Sequence, residues 1–248
     1  SGPVGLDIGP QTLAYSAAGV AGLVELADRV QNIEQEKRRL QRKMDRSRRA
    51  TNPDNYAEDG TIRRGVKLTH NKSKRYRRSQ QELKYLQHRQ AEIRKLQHIQ
   101  LANHLLSLGD HFYVEKMEWS SLTHRAKKTV ISEKTGKPRS KKRFGKSIAN
   151  KTPAMLIEIL RQKCKSLGLL NVVEINPADI KASQYNHLTG EYVKKSLSRR
   201  WNEMQDGEHL QRDLYSAFLL QHYDSMSKAL DLDSLARDYP AFVQYHHR

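Results

Sequence analysis

Residues 4–16 read VGLDIGPQTLAYS, two short apolar runs joined by the turn Gly9-Pro10-Gln11. The pattern predicts a hairpin of two antiparallel strands, and the next apolar run, VAGLVELA, predicts a third strand. Asp7 lies in the middle of the first strand. Because an unpaired carboxylate is costly to bury among apolar side chains, Asp7 is the first candidate for a functional residue.

Helical spacing replaces the strand pattern after residue 28. Apolar residues recur among charged ones up to residue 49, and again from about residue 74 to residue 108, where Gly109 ends the second helix. The polar, turn-rich stretch TNPDNYAEDGTIRRG lies between the two helices. We therefore predict an antiparallel helical hairpin whose flanks are crowded with Lys and Arg.

The rest of the chain alternates strands with helices. HFYVEKM predicts a fourth strand, Thr152-Pro153 a capped helix start, and NVVEINP a fifth strand. A last long helix is predicted to begin near residue 206, and residues after 231 are predicted to form a short helix or a frayed end. This order of elements predicts an α/β fold class, with an RNase H-like mixed five-stranded sheet flanked by helices. The helical hairpin is a long insertion before the fourth strand.

Composition favours a polyanionic partner. The 248 residues include 45 Lys and Arg against 27 Asp and Glu, a formal net charge of +18. Nucleic acid is the first candidate for such a chain, and an anionic membrane surface is the second. No apolar run approaches the roughly 18 residues of a membrane span. The single cysteine, Cys164, excludes an internal disulfide and a multi-cysteine zinc site, and it suits a reducing cytoplasm.

Three acids fall at informative positions: Asp7 on the first strand, Glu115 on the fourth, and Asp213 near the start of the last helix. If the first and fourth strands are neighbours, Asp7 and Glu115 lie side by side and the helix adds Asp213. Three such carboxylates repel one another and their pKa values rise. Mg²⁺ or Mn²⁺ relieves that repulsion, and two ions about 3.5–4 Å apart can hydrolyse a phosphodiester. The sequence thus predicts a catalytic metal site at Asp7, Glu115 and Asp213.

Each acid also has an ordinary structural explanation. Asp7 could begin a turn or pair with a nearby Lys, Glu115 could be a solvated strand residue, and Asp213 could be a helix N-terminal acid. Three other acids are weaker candidates for the same role, Glu118, Glu174 and Asp206. The argument for catalysis is the combination of three acids on the expected elements of one fold.

Three motifs resemble those of one known family. VGLDIGPQTLAYS resembles the first RuvC motif of TnpB (OrfB-type), the transposon-encoded RNA-guided nucleases related to type V CRISPR effectors. YVEKMEWSSL resembles the second motif and QRDLYSAFLL the third. The resemblance implies that Asp7, Glu115 and Asp213 are the catalytic and metal-binding acids of a metal-dependent DNA endonuclease with a guide RNA. It also implies a monomer within a larger parent chain, active at the prokaryotic nucleoid, with a guide-RNA-binding region preceding residue 1.

The resemblance implies a domain organisation and shows two departures. Residues 1–248 form the RuvC-like domain, with its core at about 1–28, 110–119, 152–177 and 206–230. Residues 29–109 are the inserted hairpin, and 120–151 a basic loop or lid. Residues 178–205 replace the family's zinc ribbon, and because they contain no cysteine we expect no zinc. Leu214 and Tyr215 stand where the family favours Asn and a small residue.

The basic runs EKRRLQRKMDRSRR and NKSKRYRRSQ predict a surface for nucleic-acid phosphates. A solvated helix face is the ordinary explanation of such runs, but these are strongly one-signed. The predicted nucleic-acid-binding residues are Arg38, Arg39, Arg42, Lys43, Arg48, Arg49, Lys74, Arg75, Arg77, Arg78, Lys141, Lys142, Arg143, Arg199 and Arg200.

Other functions remain open at this point. A nucleic-acid-binding module that keeps the fold without cleavage, such as a regulator, is the main alternative. Actin-like ATPases and sugar kinases also begin with an Asp-Ile-Gly hairpin, but they need later glycine-rich phosphate loops that this chain lacks. A membrane-surface protein would need a helix with a continuous apolar face and a basic rim, and none is evident.

Overall fold

A mixed five-stranded sheet forms the centre of the larger of two units in the computed structural model. Its strands are β1 (Pro3–Ile8), β2 (Thr12–Ala17), β3 (Val20–Glu25), β4 (His111–Glu115) and β5 (Val173–Ile175). The strand order is β3-β2-β1-β4-β5. The first three strands are antiparallel, whereas β4 and β5 run parallel to β1. The predicted α/β class, with a mixed five-stranded sheet flanked by helices, is confirmed.

The structure describes residues 2–133, 135–139, 144–194, 196 and 199–247. The helices are α1 (Glu34–Thr51), α2 (Lys74–Leu108), α3 (Trp119–Thr123), α4 (Gly145–Lys151), α5 (Pro153–Ser166), α6 (Pro177–Ile180), α7 (Arg212–Gln221) and α8 (Leu232–His246). Three small ladders complete the chain: β6 (Tyr185–Asn186) with β7 (Glu191–Tyr192), β8 (Trp201–Glu203) with β9 (His209–Gln211), and β10 (Tyr223–Asp224) with β11 (Ala229–Leu230). Within these described residues, no helix has the length and apolarity to cross a membrane.

Two apolar cores lie on opposite faces of the sheet. Alternation places Val4, Leu6 and Ile8 of β1 with Phe112 and Val114 of β4 on one face, where the end of α2 and helix α5 cover them. On the other face the buried side chains come from α7 and α8, and the rings of Phe218 and Phe242 stack 4.3 Å apart. Because side chains alternate along β1 and Leu6 and Ile8 lie on the first face, Asp7 projects from the face that α7 covers.

The smaller unit, Arg29–Lys95, contains α1 and the first part of α2. Ser47 Oγ lies 2.7 Å from Ser73 Oγ, and Arg39 lies 3.9 Å from Glu82, so the two helices run antiparallel as the sequence predicts. The buried Asn52 and Asn55 stabilise the loop between α1 and α2, because their side chains form hydrogen bonds with the backbone of residues 69 and 71.

Four predictions about individual elements were wrong. The last long helix begins at Arg212, not near residue 206, because residues 201–211 form the β8–β9 hairpin. It ends at Gln221, and the tail after residue 231 is a regular 15-residue helix. Thr152 has a left-handed backbone and its side chain does not cap α5, although Pro153 does begin that helix. The predicted loop 120–151 contains the short helices α3 and α4.

We predict that Gly5→Ala strongly destabilises the protein. A Cβ at this position would overlap the carbonyl oxygen of Ala217 and the amide nitrogen of Gln221, which are α7 backbone atoms that cannot rotate away. The free energy of unfolding should fall by about 3 kcal/mol or more, measured by urea denaturation. Gly2→Ala is the control, since nothing lies within 4 Å of a Cβ there. Equal stability of the two variants would contradict the close approach of α7.

Candidate active site

The pairing of β1 with β4 brings two of the predicted acids together. Leu6 lies opposite Val114 in this parallel pair, so the next residues, Asp7 and Glu115, lie level on adjacent strands. Both project from the sheet face that carries α7, because Gly5, two residues before Asp7, abuts the α7 backbone at Ala217.

Helix α7 brings the third acid to the same place. Asp213 lies four residues before Ala217, so the two share one side of the helix and that side faces β1. Asp7, Glu115 and Asp213 line a single cleft of about 670 Å³. The same cleft is lined by Gln11, Phe144, Arg200, Trp201, Gln211, Arg212 and Ser216. The structure therefore brings all three sequence-predicted acids together.

The pKa of Asp7 reflects both its burial and the repulsion between carboxylates in the cleft. Burial, followed by the negative charges of Asp213 and Glu115, raises the pKa of Asp7 from its ordinary 3.8 to about 7. Arg212 and the Ser216 hydroxyl act in the opposite direction. Ser216 Oγ has no regular hydrogen-bond partner in the described part of the chain, so its influence on Asp7 is that of a nearby dipole. Burial also raises the pKa of Glu115.

Asp213 differs from the other two acids because cationic and amide groups surround it. Arg212 Nε and Nη2 each lie 3.2 Å from Oδ1, while Arg200 Nη1 lies 3.4 Å from Oδ2. Gln211 Nε2 donates to Oδ2 at 3.2 Å. Glu115, in contrast, has no side-chain hydrogen bond or ion pair with any described residue. Asp213 thus has direct cationic partners, whereas Arg212 acts on Asp7 without an ion pair between them.

The cleft contains the oxygen ligands that suit Mg²⁺ or Mn²⁺, although the three carboxylates do not converge on one position. Carboxylate oxygens are the hard ligands these cations prefer, and neither Asp7 nor Glu115 forms an ion pair with a described residue. In the described ranges, no group of three or more His, Cys, Asp or Glu side chains is arranged to hold a metal ion. Asp7 and Glu115 would therefore provide the first ligands, and Asp213 would join them once an arginine moves away.

The three weaker candidates lie outside the cleft. Glu174 pairs with Arg161 at 2.8 Å, and its register opposite Val114 places it on the other face of the sheet from Glu115. Glu118 is exposed beyond the end of β4, at the start of α3. Asp206 accepts from the backbone of Glu208 in the turn of the β8–β9 hairpin.

The structure adds site residues that sequence reasoning did not identify. Gln211 caps α7, because its Oε1 accepts from Leu214 N at 2.7 Å while its Nε2 reaches Asp213. His246, at the end of α8, accepts from Gln211 N at 2.8 Å and so ties the last helix to this cap. Gln is not among the preferred N-cap residues, so the QRD sequence gave no cap signal.

The predicted nucleic-acid-binding residues fall into three groups. Those of α1 and α2 all belong to the smaller unit, and three of them have acidic partners, since Arg39 pairs with Glu36 while Arg48 and Arg49 pair with Asp45. Arg199 and Arg200 belong to the larger unit, where Arg200 lines the cleft. The remaining group, Lys141, Lys142 and Arg143, lies outside the described residues.

The sequence matches no protein-family model, and comparison with curated proteins finds no match. The function of the chain is therefore inferred from the chemistry of the cleft and from the fold that builds it.

We predict that Asp7→Asn stabilises the protein in a pH-dependent manner in the absence of metal. The folded-state pKa of Asp7 is raised, so its favourable contribution is complete below about pH 3.8 and is lost as the pH rises to about 7. The advantage of the variant in unfolding free energy should therefore grow by about 2 kcal/mol between pH 5 and pH 8. Chemical denaturation in EDTA at both pH values measures it.

Glu118→Gln is the control for this comparison, because Glu118 is an exposed acid near the same strand. It should change stability by the same small amount at both pH values. A pH-independent effect of Asp7→Asn would show that burial and charge repulsion do not raise the pKa of Asp7.

Proposed function

We propose that this chain is a metal-dependent DNA endonuclease domain with an RNase H-like, RuvC-type fold. The observation that carries the proposal is the level placement of Asp7 and Glu115 on adjacent parallel strands, with Asp213 on the helix that packs against them. Three carboxylates in one cleft, with a raised pKa at Asp7, are expected where divalent cations bind phosphate substrates.

The arrangement of the sheet supports the same proposal. Three antiparallel strands are followed by two that run parallel to β1, in the order β3-β2-β1-β4-β5. That order places β1 and β4 side by side at the centre, as a RuvC-type site requires. Fold alone does not establish activity, so the argument rests on the acids that the fold positions.

The residues of the cleft have distinct roles in the proposed reaction. Asp7 and Glu115 would hold Mg²⁺ or Mn²⁺ on rigid strands, and Asp213 would complete the set. When bound, the cations would supply charge neutralisation and a lowered pKa for the attacking water. Arg212, packed at the start of α7, keeps Asp213 oriented toward β1. Arg200 and Trp201 are placed to contact the strand that enters the cleft.

The proposed partners follow from charge and from the family resemblance. A net charge of +18 favours a polyanion, and α1 and α2 present Arg38, Arg42, Arg75, Arg77 and Arg78 to solvent. We propose DNA as the substrate, a guide RNA as the second polyanion, and action as a monomer in the manner of the TnpB family.

A second candidate function is a catalytically silent nucleic-acid-binding module. The observation that favours it is the set of contacts that compensates Asp213, since Arg200, Gln211 and Arg212 occupy the oxygens a metal would need. A module of this kind would bind DNA through the same basic residues, with affinity that falls steeply with salt.

We predict metal-dependent cleavage that requires Asp7 and Glu115. Labelled single-stranded and double-stranded DNA is incubated with the purified protein, and with any RNA that co-purifies, in Mg²⁺, Mn²⁺ or EDTA. Asp7→Asn and Glu115→Gln should each lower the cleavage rate by about 100-fold or more, because each removes a ligand. Glu118→Gln and Glu174→Gln are controls outside the cleft and should retain the rate.

Binding is measured on the same samples. Retained DNA binding by the inactive variants would assign the loss to chemistry. Salt-sensitive binding by the wild-type protein without cleavage in any metal would instead establish the silent module.

A further inference from the structure

The β8–β9 hairpin and the two residues before it, Arg199 and Arg200, form one wall of the cleft, here called the lip (residues 199–211). Trp201 pairs with Gln211 across the hairpin, and Arg212 N donates to Arg200 O at 2.8 Å. Because Gln211 is also the N-cap of α7, the backbone of the lip is fixed to the helix that carries Asp213.

Trp201 is a large apolar side chain that is exposed to solvent on this wall of the cleft. It lines the same cleft as the three acids, and 53% of it is exposed to solvent. Its ring meets His246 edge to face, with centroids 6.1 Å apart, and it belongs to neither apolar core. An indole with a solvated face beside a cationic side chain is suited to stack on a nucleobase.

The two arginines on Asp213 are held very differently. Arg212 has only 12% of its side chain exposed and also donates to Arg199 O, so it is part of the packed structure. Arg200 is 62% exposed and reaches Oδ2 through one long contact of 3.4 Å. Exposed ion pairs of this kind contribute at most about 1 kcal/mol, so a competing anion can replace Asp213 as the partner of Arg200.

We propose that the lip binds an unpaired nucleotide of a DNA strand, with Trp201 stacked on the base and Arg200 transferred from Asp213 to the adjoining phosphate. The inference rests on the proposed function and deepens it. It makes DNA binding and metal binding cooperative, since the phosphate that takes Arg200 removes a cation from Oδ2 of Asp213 and leaves only the neutral Gln211 amide on that oxygen. It also makes an unpaired strand the preferred ligand, because bases within a duplex already have both faces covered.

The stacking contact is tested by fluorescence. The chain has two tryptophans, so Trp119→Phe leaves Trp201 as the only indole. Titration with oligothymidine in EDTA should quench its emission, whereas an abasic strand of the same length and charge should quench it little. Trp201→Ala should bind oligothymidine about tenfold more weakly and the abasic strand equally well. Equal quenching by the two strands, or by duplex and single strand, would overturn the proposal.

The exchange of Arg200 is tested by metal binding. Arg200→Gln should lower the Mn²⁺ concentration that half-saturates the thermal stabilisation of the DNA-free protein, by up to about fivefold. Arg199→Gln is the matched control, a neighbouring exposed arginine that makes no contact with Asp213, and its midpoint should equal that of the wild type. Adding oligothymidine should shift the wild-type midpoint in the same direction as Arg200→Gln does.

The outcomes separate this inference from the proposed function. Suppose that Asp7→Asn abolishes thermal stabilisation by Mn²⁺ but Arg200→Gln leaves the Mn²⁺ midpoint unchanged. That result would refute the exchange of Arg200 and leave the metal site in place. If Mn²⁺ stabilises neither the wild-type protein nor Arg200→Gln, both the exchange of Arg200 and the proposed metal site are refuted.

Discussion

The parallel pairing of β1 with β4 is the constraint on which the cleft depends. It places Asp7 level with Glu115, and it does so through backbone hydrogen bonds that neither side chain can alter. Gly5 adds the second condition, because the absent Cβ lets the α7 backbone lie directly on β1. If either condition failed, Asp213 would no longer face the strand acids. The geometry of the site is therefore set by main-chain packing rather than by contacts among the acids.

Asp7 and Glu115 oppose folding when they are ionised, because burial raises the pKa of both. Burial and mutual repulsion raise the pKa of Asp7 to about 7, so at neutral pH the folded protein carries the cost of ionising it. Arg212 reduces that cost at Asp7, and together with Arg200 it pairs directly with Asp213. The proposed cation site depends on this uneven compensation. Asp7 and Glu115 form no ion pair with a described residue, while Asp213 pairs with the packed Arg212 and with the exposed Arg200.

Much of the sheet and of α2 could be predicted from sequence because the signals are local. Alternating apolar residues around a Gly-Pro turn predict β1 and β2, and Gly109 ends α2 at the expected residue. The start of α7 was missed for a physical reason. Leu210 and Leu214 are four residues apart, which mimics helical spacing, yet Leu210 lies on β9 and only Leu214 lies on the helix.

The three acids could be predicted from their places on the elements, but their environment could not. The contact between Arg200 and Asp213 spans 13 residues and exists only because the β8–β9 hairpin folds back onto α7. The hydrogen bond between Gln211 and His246 joins residues that are 35 positions apart, and no sequence pattern predicts it. Interactions of this kind depend on tertiary packing, and they determine which of the three acids has a cationic partner.

The most direct measurement is anomalous diffraction from crystals of the protein soaked in Mn²⁺. The proposed site predicts an anomalous peak in the cleft, about 2.2 Å from carboxylate oxygens of both Asp7 and Glu115, which disappears in Asp7→Asn crystals. A cleft without a peak, in crystals whose Mn²⁺ occupies surface acids elsewhere, would contradict the assignment of these carboxylates as metal ligands.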